Sequence, residues 1–325
     1  MKRNRWAILS SALCMATVMS LQTAPSFSAA PDLLVSSQGS DAVLRYDGTT
    51  GAFSGSFASG GGLDAPNGLG FGPDGNLYVS SYGTDNVLRY NGTTGAFIDA
   101  FASGGGLSGP YGLGFGLDGN LYVSSNGSNA VLRYNGTTGA FIDTFASGGG
   151  LNGPDGLGFG PDGNLYVSSG NSNNIMRYNG TTGAFIDTFA SGSGLSGPAG
   201  LAFGPDGNLY VGSFNSDAVL RYNGTTGAFI DTFASGSGLS GPVGLLFGSD
   251  GNLYVGSNGS NGVLRYDGTT GAFVDTFVTA GSGGLNGPSY VVPIPEPETY
   301  AMMLAGLGLL GFAARRRKHN EAAGA

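Results

Sequence analysis

Residues 67–103 read NGLGFGPDGNLYVSSYGTDNVLRYNGTTGAFIDAFAS. Leu69 and Phe71 alternate with Gly68, Gly70 and Gly72, and Pro73-Asp74-Gly75-Asn76 then supplies the residues of a tight turn. Leu77-Tyr78-Val79 reads as a second strand and Val87-Leu88-Arg89-Tyr90 as a third. Asn91-Gly92-Thr93-Thr94-Gly95 turns the chain again, and Ala96–Phe101 is a fourth strand. Four short β-rich runs separated by glycine turns predict one antiparallel sheet. Both of its faces carry apolar or aromatic residues, so each sheet needs cover on both sides. Sheets set radially around an axis supply that cover. The glycines of the first strand suit the crowded place nearest the axis.

The unit repeats. DGNLYV occurs at 74–79, 118–123, 162–167, 206–211 and 250–255, each copy 44 residues after the last. Glycine makes up 64 of 325 residues, a composition that by itself points to low complexity, but a fixed period of this length marks a repeat architecture. Residues 29–294 hold six such periods. The first repeat, from Pro31, has the second, third and fourth strands but lacks a first. The missing strand is at the other end, where GPSYVVPIP (287–295) aligns with GPVGLLFGS (241–249). The reading is therefore all-β, a six-bladed β-propeller closed by a C-terminal inner strand at Ser289–Val292. A linear solenoid is the competing reading, and it gives no reason to split a repeat in this way.

Two terminal segments stand apart from this body. Residues 1–28 open with Lys2, Arg3 and Arg5 and continue through the apolar run Trp6–Leu21 to Ser26-Phe27-Ser28. They are expected to be a secretory signal peptide rather than a first membrane helix, because the run is short and broken by serines. Cys14, the one cysteine, lies there, so the exported chain has no thiol chemistry. At 295–325 the order is Pro295-Glu296-Pro297, an apolar stretch Tyr300–Ala314, then Arg315-Arg316-Arg317-Lys318. Such a segment reads as a short C-terminal anchor with its basic end kept in the cytoplasm. The three ordered elements resemble the PEP-CTERM sorting signal of Gram-negative bacteria. That resemblance implies a transient stay in the inner membrane and recognition and removal of the tail by an exosortase. It also implies a final place at the cell surface or in the extracellular matrix of a polysaccharide producer.

The blades resemble the NHL repeat on Gly68-Leu69-Gly70, Asp74-Gly75, Leu77-Tyr78-Val79 and Arg89. Two enzyme groups share the broad pattern, the streptogramin lyases and the senescence-marker/gluconolactonase group. The first resemblance would imply a histidine acid–base and a glutamate, the second a glutamate metal ligand. Neither carries over. The one histidine, His319, and the three glutamates, Glu296, Glu298 and Glu321, all fall in or beyond the sorting signal. An aspartate pair remains the route to acid–base catalysis, and the favoured reading is not an enzyme.

Six arginines against eighteen aspartates give residues 29–294 a formal charge of −12, which makes nucleic acid a poor partner. The arginines, Arg45, Arg89, Arg133, Arg177, Arg221 and Arg265, recur in every blade. Asp99, Asp143, Asp187, Asp231 and Asp275 are expected as their diagonal neighbours across the outer hairpin. Gly55 takes that place in the first blade and leaves Arg45 without this partner. Asp41, Asp85, Asn129, Asn173, Asp217 and Asn261 recur before the third strand. They read as Asx turns, with Ca²⁺ a weak alternative because no stretch has the ligand density of a calcium loop. No cofactor is expected. The Asn-Gly-Thr sequons at Asn91, Asn135, Asn179 and Asn223 read as turns.

Near-identical repeats expose the places where they differ. One set follows the Gly-Pro or Ala-Pro step: Asn67, Tyr111, Asp155, Ala199, Val243 and Ser289. The other sits in the loop between the second and third strands: Gln38, Tyr82, Asn126, Asn171, Phe214 and Asn258. In a propeller both emerge on one face, around the axial mouth. Drift in tolerant loops would produce such variation, and so would a binding face whose aromatics and amides suit sugars or peptide segments. The expected function is an exported, non-enzymatic binding or scaffold module. A lyase- or lactonase-like enzyme and a purely structural matrix repeat are the alternatives.

Overall fold

The structure, a computed structural model, describes residues 30–295. The signal peptide and the sorting-signal residues from Glu296 onward, Pro297, Arg315, Arg316 and Arg317 among them, lie outside the described residues. Within them the chain forms six four-stranded antiparallel sheets. Blade 2 consists of Pro66–Phe71, Leu77–Ser81, Asn86–Tyr90 and Phe97–Ala102, from axis to rim. Blades 3 to 6 repeat it, with inner strands Pro110–Phe115, Pro154–Phe159, Pro198–Phe203 and Pro242–Phe247. Blade 1 is the joint. Its inner strand is Pro288–Pro293, paired antiparallel with Leu33–Ser37, with Leu34 opposite Val292 and Val35 opposite Val291. The ring is closed by the strand that the sequence assigned to it.

Packing between blades follows from the aromatic residues. Tyr78 is fully buried and meets two phenylalanines edge-on, Phe101 of its own blade at 4.8 Å and Phe115 of the next blade's inner strand at 4.9 Å. Each such pair contributes about 0.5–1.5 kcal/mol beyond the area it buries. The same Tyr–Phe–Phe wedge recurs at Tyr122, Tyr166 and Tyr210. At the axis the inner strands approach so closely that a side chain does not fit. A Cβ on Gly68 would lie 2.4 Å from the carbonyl oxygen of Tyr111, and one on Gly200 would lie 2.0 Å from that of Val243.

Two expectations are corrected here. Arg89 and Asp99 are directly opposite in register rather than diagonal, because a bulge between Arg89 and Tyr90 shifts the outer hairpin. The pair is bidentate, with Arg89 Nε donating to Asp99 Oδ1 at 3.1 Å and Nη2 to Oδ2 at 2.6 Å. Arg45, without that aspartate, is bonded to Asp32 instead, Nε to Oδ2 at 2.6 Å. The recurring Asp/Asn before the third strand is not a local Asx turn. Each sits in the left-handed region, Asn173 at φ 56°, and its Oδ1 reaches 24 residues on, or 26 from Asn261, to accept the backbone N–H at the entry to the next blade. Asp41 accepts from Ala65 at 2.8 Å and Asn261 from Gly287 at 2.7 Å, so the last of these clasps fastens the closing strand. At Asn91 the turn reading holds, since Oδ1 accepts from the N–H groups of Thr93 and Thr94.

Candidate functional site: the axial mouth

On every inner strand the variable residue lies inside a break in the ladder. Pairing is regular at Pro66–Ser81, shifts, and resumes at Leu69–Val79, so Asn67 and Gly68 fall in the irregularity. The same shift occurs at Pro154/Leu157 and Pro198/Leu201. Such irregularities re-aim side chains, and these open the top of each inner strand toward the axis. The second set comes from the loops that follow the second strands. Those loops form single 3₁₀ turns at Tyr82–Thr84 and Phe214–Ser216.

The two sets meet. A cavity of about 290 Å³ is lined by Gln38, Asn67, Tyr111, Asn126, Asp155, Asn171, Phe214 and Asn258, together with Ala199 and Val243. Tyr82 is outside the lining but packs edge-on against Tyr111 at 5.2 Å. Asn171 is one step out of register with the others. The period puts Gly170 at that loop position, and Gly170 N–H donates to Gly153 as Phe214 N–H donates to Gly197. Asn171 still reaches the cavity wall from the next position. The rim amides bridge neighbours: Asn258 Nδ2 donates to Gln38 Oε1 at 3.3 Å and Asn126 Nδ2 to the Pro154 carbonyl at 3.4 Å. The mouth aromatics also pack. A Cβ on Gly109 would lie 2.9 Å from the Tyr82 ring, and one on Gly241 2.9 Å from Phe214, so each ring leans on the next blade.

Next to this lining, though not part of it, is a residue that the sequence reading passed over. Tyr290 stands where the other five inner strands carry the axial glycines Gly68, Gly112, Gly156, Gly200 and Gly244. Its side chain reaches from blade 1 to blade 3, where its hydroxyl comes within 2.8 Å of where a Cβ on Gly112 would sit. The signal was present in the alignment of 287–295 with 241–249, as a tyrosine in a glycine position.

The cavity is lopsided. Asn67, Tyr111 and Asp155 make one arc, and Ala199, Val243 and Phe214 the other. Among these lining residues Asp155 is the sole acid, and there is no basic side chain. Asn67 is buried and its Oδ1 has no hydrogen-bond partner among the described residues. The same is true of Asp155 Oδ1, Tyr290 Oη and Ser289 Oγ. Loss of hydration pushes the Asp155 carboxyl up to about 7. Burial, with the nearby Asp155 charge and Tyr82, pushes Tyr111 up to about 12. The same causes, with Tyr111 in place of Tyr82, hold Tyr290 well above the usual phenol range.

Residues 293–318 match the PEP-CTERM protein-sorting motif, which marks an exported protein handled by an exosortase. The matched segment begins on the last residue of the closing strand, and the Ile294 N–H donates to the Asp32 carbonyl at 2.8 Å. No helix among the described residues is long and apolar enough to cross a membrane. No curated protein sequence matches the chain. Several solved structures share its fold. Virginiamycin B lyase from Staphylococcus aureus is 21% identical, with 65% of this chain and 69% of that one covered at a TM-score of 0.52. A chain of a nidogen/laminin complex is 18% identical, with 80% and 97% covered at 0.65. A protein of unknown function from Bacteroides caccae is 15% identical, with 82% and 100% covered at 0.58. The neighbours thus include a lyase and a partner in a protein complex, so the likeness speaks for the fold alone. The chain is a six-bladed β-propeller that ends in a PEP-CTERM protein-sorting motif.

Proposed function

We propose that the exported propeller is a non-enzymatic binding module at the cell surface or in the extracellular matrix of a Gram-negative bacterium, with the axial mouth as its binding face. One observation carries this reading. The positions at which the repeats differ converge on a single cavity, while the interblade wedge and the outer turns repeat almost unchanged. Exposed turns differ as well, with Pro73, Leu117 and Ser249 at equivalent places, but the most varied positions gather at the one opening. Aromatic rings beside amide groups offer both an apolar face and hydrogen bonds, the combination that suits extracellular polysaccharide or peptide segments.

The test is retention of the purified domain on the host's extracellular polysaccharide. Replacing Tyr82, Tyr111 and Phe214 together by alanine removes about 1 kcal/mol per aromatic contact. Affinity is then expected to fall by about a hundredfold. Thr93→Ala, in an outer turn, is the control. Because the three rings also pack on neighbouring blades, each variant is melted alongside, and a folded triple variant that is retained like the control refutes the binding face.

A second reading rests on Asp155, whose pKa near neutrality and tyrosine neighbours supply a candidate acid–base group in a lyase-like site. It predicts turnover of a bound polymer that Asp155→Asn abolishes. Binding with no change in polymer length speaks against it.

A further inference from the structure

The axial cavity contains a carboxylate with no counter-ion. Asp155 Oδ1 is withdrawn from solvent and without a hydrogen-bond partner, and so is the carbonyl oxygen of the buried Asn67 side chain in the same wall. An anion taken out of water in this way is unfavourable unless something positive joins it or it takes up a proton. Among the described residues nothing positive is supplied there, since no lysine, arginine or histidine lines the cavity. The arginines lie elsewhere, each tied to aspartates toward the outer strands. The ionisable groups facing Asp155 are two tyrosines, Tyr111 of the neighbouring inner strand and Tyr290 of the closing strand, whose hydroxyl is also unpartnered.

We infer that the axial cavity binds a primary ammonium group carried on a sugar ring, with Asp155 as its counter-ion and Asn67 Oδ1 and Tyr290 Oη as further acceptors. An ammonium has three N–H donors; two unpartnered oxygens, Asp155 Oδ1 and Asn67 Oδ1, belong to the cavity wall, and Tyr290, whose Oη is also unpartnered, lies near enough to Asp155 to feel its charge. Tyrosine rings next to a carboxylate add cation–π attraction. The remainder of the cavity favours a sugar over a plain alkyl amine. Ala199, Val243 and Phe214 present an apolar wall to the C–H face of a ring, and the rim amides of Asn126, Asn171 and Asn258 exchange hydrogen bonds with hydroxyls. The net negative charge of the propeller draws such a cation in. The inference rests on the mouth being the binding face, and it names the ligand class.

The experiment is titration of the purified propeller with four probes at pH 7: glucosamine, glucose, N-acetylglucosamine and butylamine. Glucosamine is expected to bind at least about thirtyfold tighter than either neutral sugar, and tighter than butylamine. Asp155→Asn removes that preference without lowering the melting temperature. A carboxyl held at about 7 in the fold, above its unfolded value, favours the folded state at low pH and weakens it as pH rises toward 7. The amide is free of that loss. From pH 5 to 7, where an amine with pKa of about 8 stays largely charged, wild-type affinity rises as Asp155 ionises and the variant's stays flat. Equal binding of glucose and glucosamine overturns the ammonium assignment, and butylamine binding as tightly as glucosamine overturns the sugar ring. So does the absence of binding by all four probes. In each of these cases loss of polysaccharide retention by the triple aromatic variant leaves the binding face standing, so the two failures are told apart.

Discussion

In blade 2 the Tyr78 hydroxyl donates to Asp74 Oδ2 at 3.0 Å, while Arg89 grips Asp99, lies 3.6 Å from Asp74, and stacks 4.8 Å above Phe101. In blade 1 the matching positions are Leu34, Ala30, Gly55 and Arg45. Three of the four partners are gone together, and for the first two the reason is topological. Asp74 stands at the turn between inner and second strands, and blade 1 has no such turn because those strands come from opposite ends of the chain. Without the aspartate, a tyrosine at residue 34 would bury an unpartnered hydroxyl, so a leucine is the less costly occupant. Arg45 turns to Asp32, which occupies the place of Asn76, and it is 44% exposed against 20% for Arg89. The joint blade thus relies on apolar packing and on the closing strand where the others have a charged network. It also places Tyr290 in the axial glycine slot.

The largest expected effect tests that reliance. A chain ending at Gly287 lacks the closing strand and the apolar packing of Tyr290, Val291, Val292 and Ile294. At about 1.5–3 kcal/mol for a fully buried apolar side chain, less for those half-buried, the loss is on the order of 5 kcal/mol. Urea unfolding is expected to become markedly less cooperative with a much lower midpoint. An unchanged transition would mean that blade 1 is held without its fourth strand.

A smaller effect compares the clasps. Asn173→Ala removes the acceptor for the Gly197 N–H and forces alanine into the left-handed region, for a combined cost of about 2 kcal/mol. Asn173→Gly loses only the bond, about 1 kcal/mol. If both variants lose the same stability, the backbone conformation at that residue adds nothing. The same pair of changes at Asn261, whose clasp holds the closing strand, should cost at least as much if the joint is the weak point.

The smallest effect separates the arginines. Arg177→Ala gives up a bidentate pair with Asp187 and a place above the Phe189 ring, about 1 kcal/mol after allowance for the half-exposed carboxylate. Arg45→Ala gives up one exposed contact, about 0.3 kcal/mol. Thermal melts at low and high salt check both. Equal losses would show that the network in blades 2–6 is no stronger than the single bond that stands in for it.

The number of blades, the split first blade and the strand that completes it were legible before any coordinates, because they depend on a 44-residue period and on alternation within strands of five to seven residues. Those are local patterns repeated often enough to be counted. The mouth was legible in part for the same reason, since differences between copies stand out against near-identity. What the sequence did not determine is where side chains go once six strands converge on an axis. The clasp from Asn173 to Gly197 spans 24 residues and two blades, yet at residue 173 it looks like an ordinary turn. Tyr290 reaches the axis beside the cavity, its hydroxyl in the space that the missing Cβ of Gly112 leaves. Asp155 has the composition of any surface acid, and its missing counter-ion depends on what the ring places around it. Closing the ring sets distances between residues far apart in sequence, and a repeat pattern carries no information about those distances.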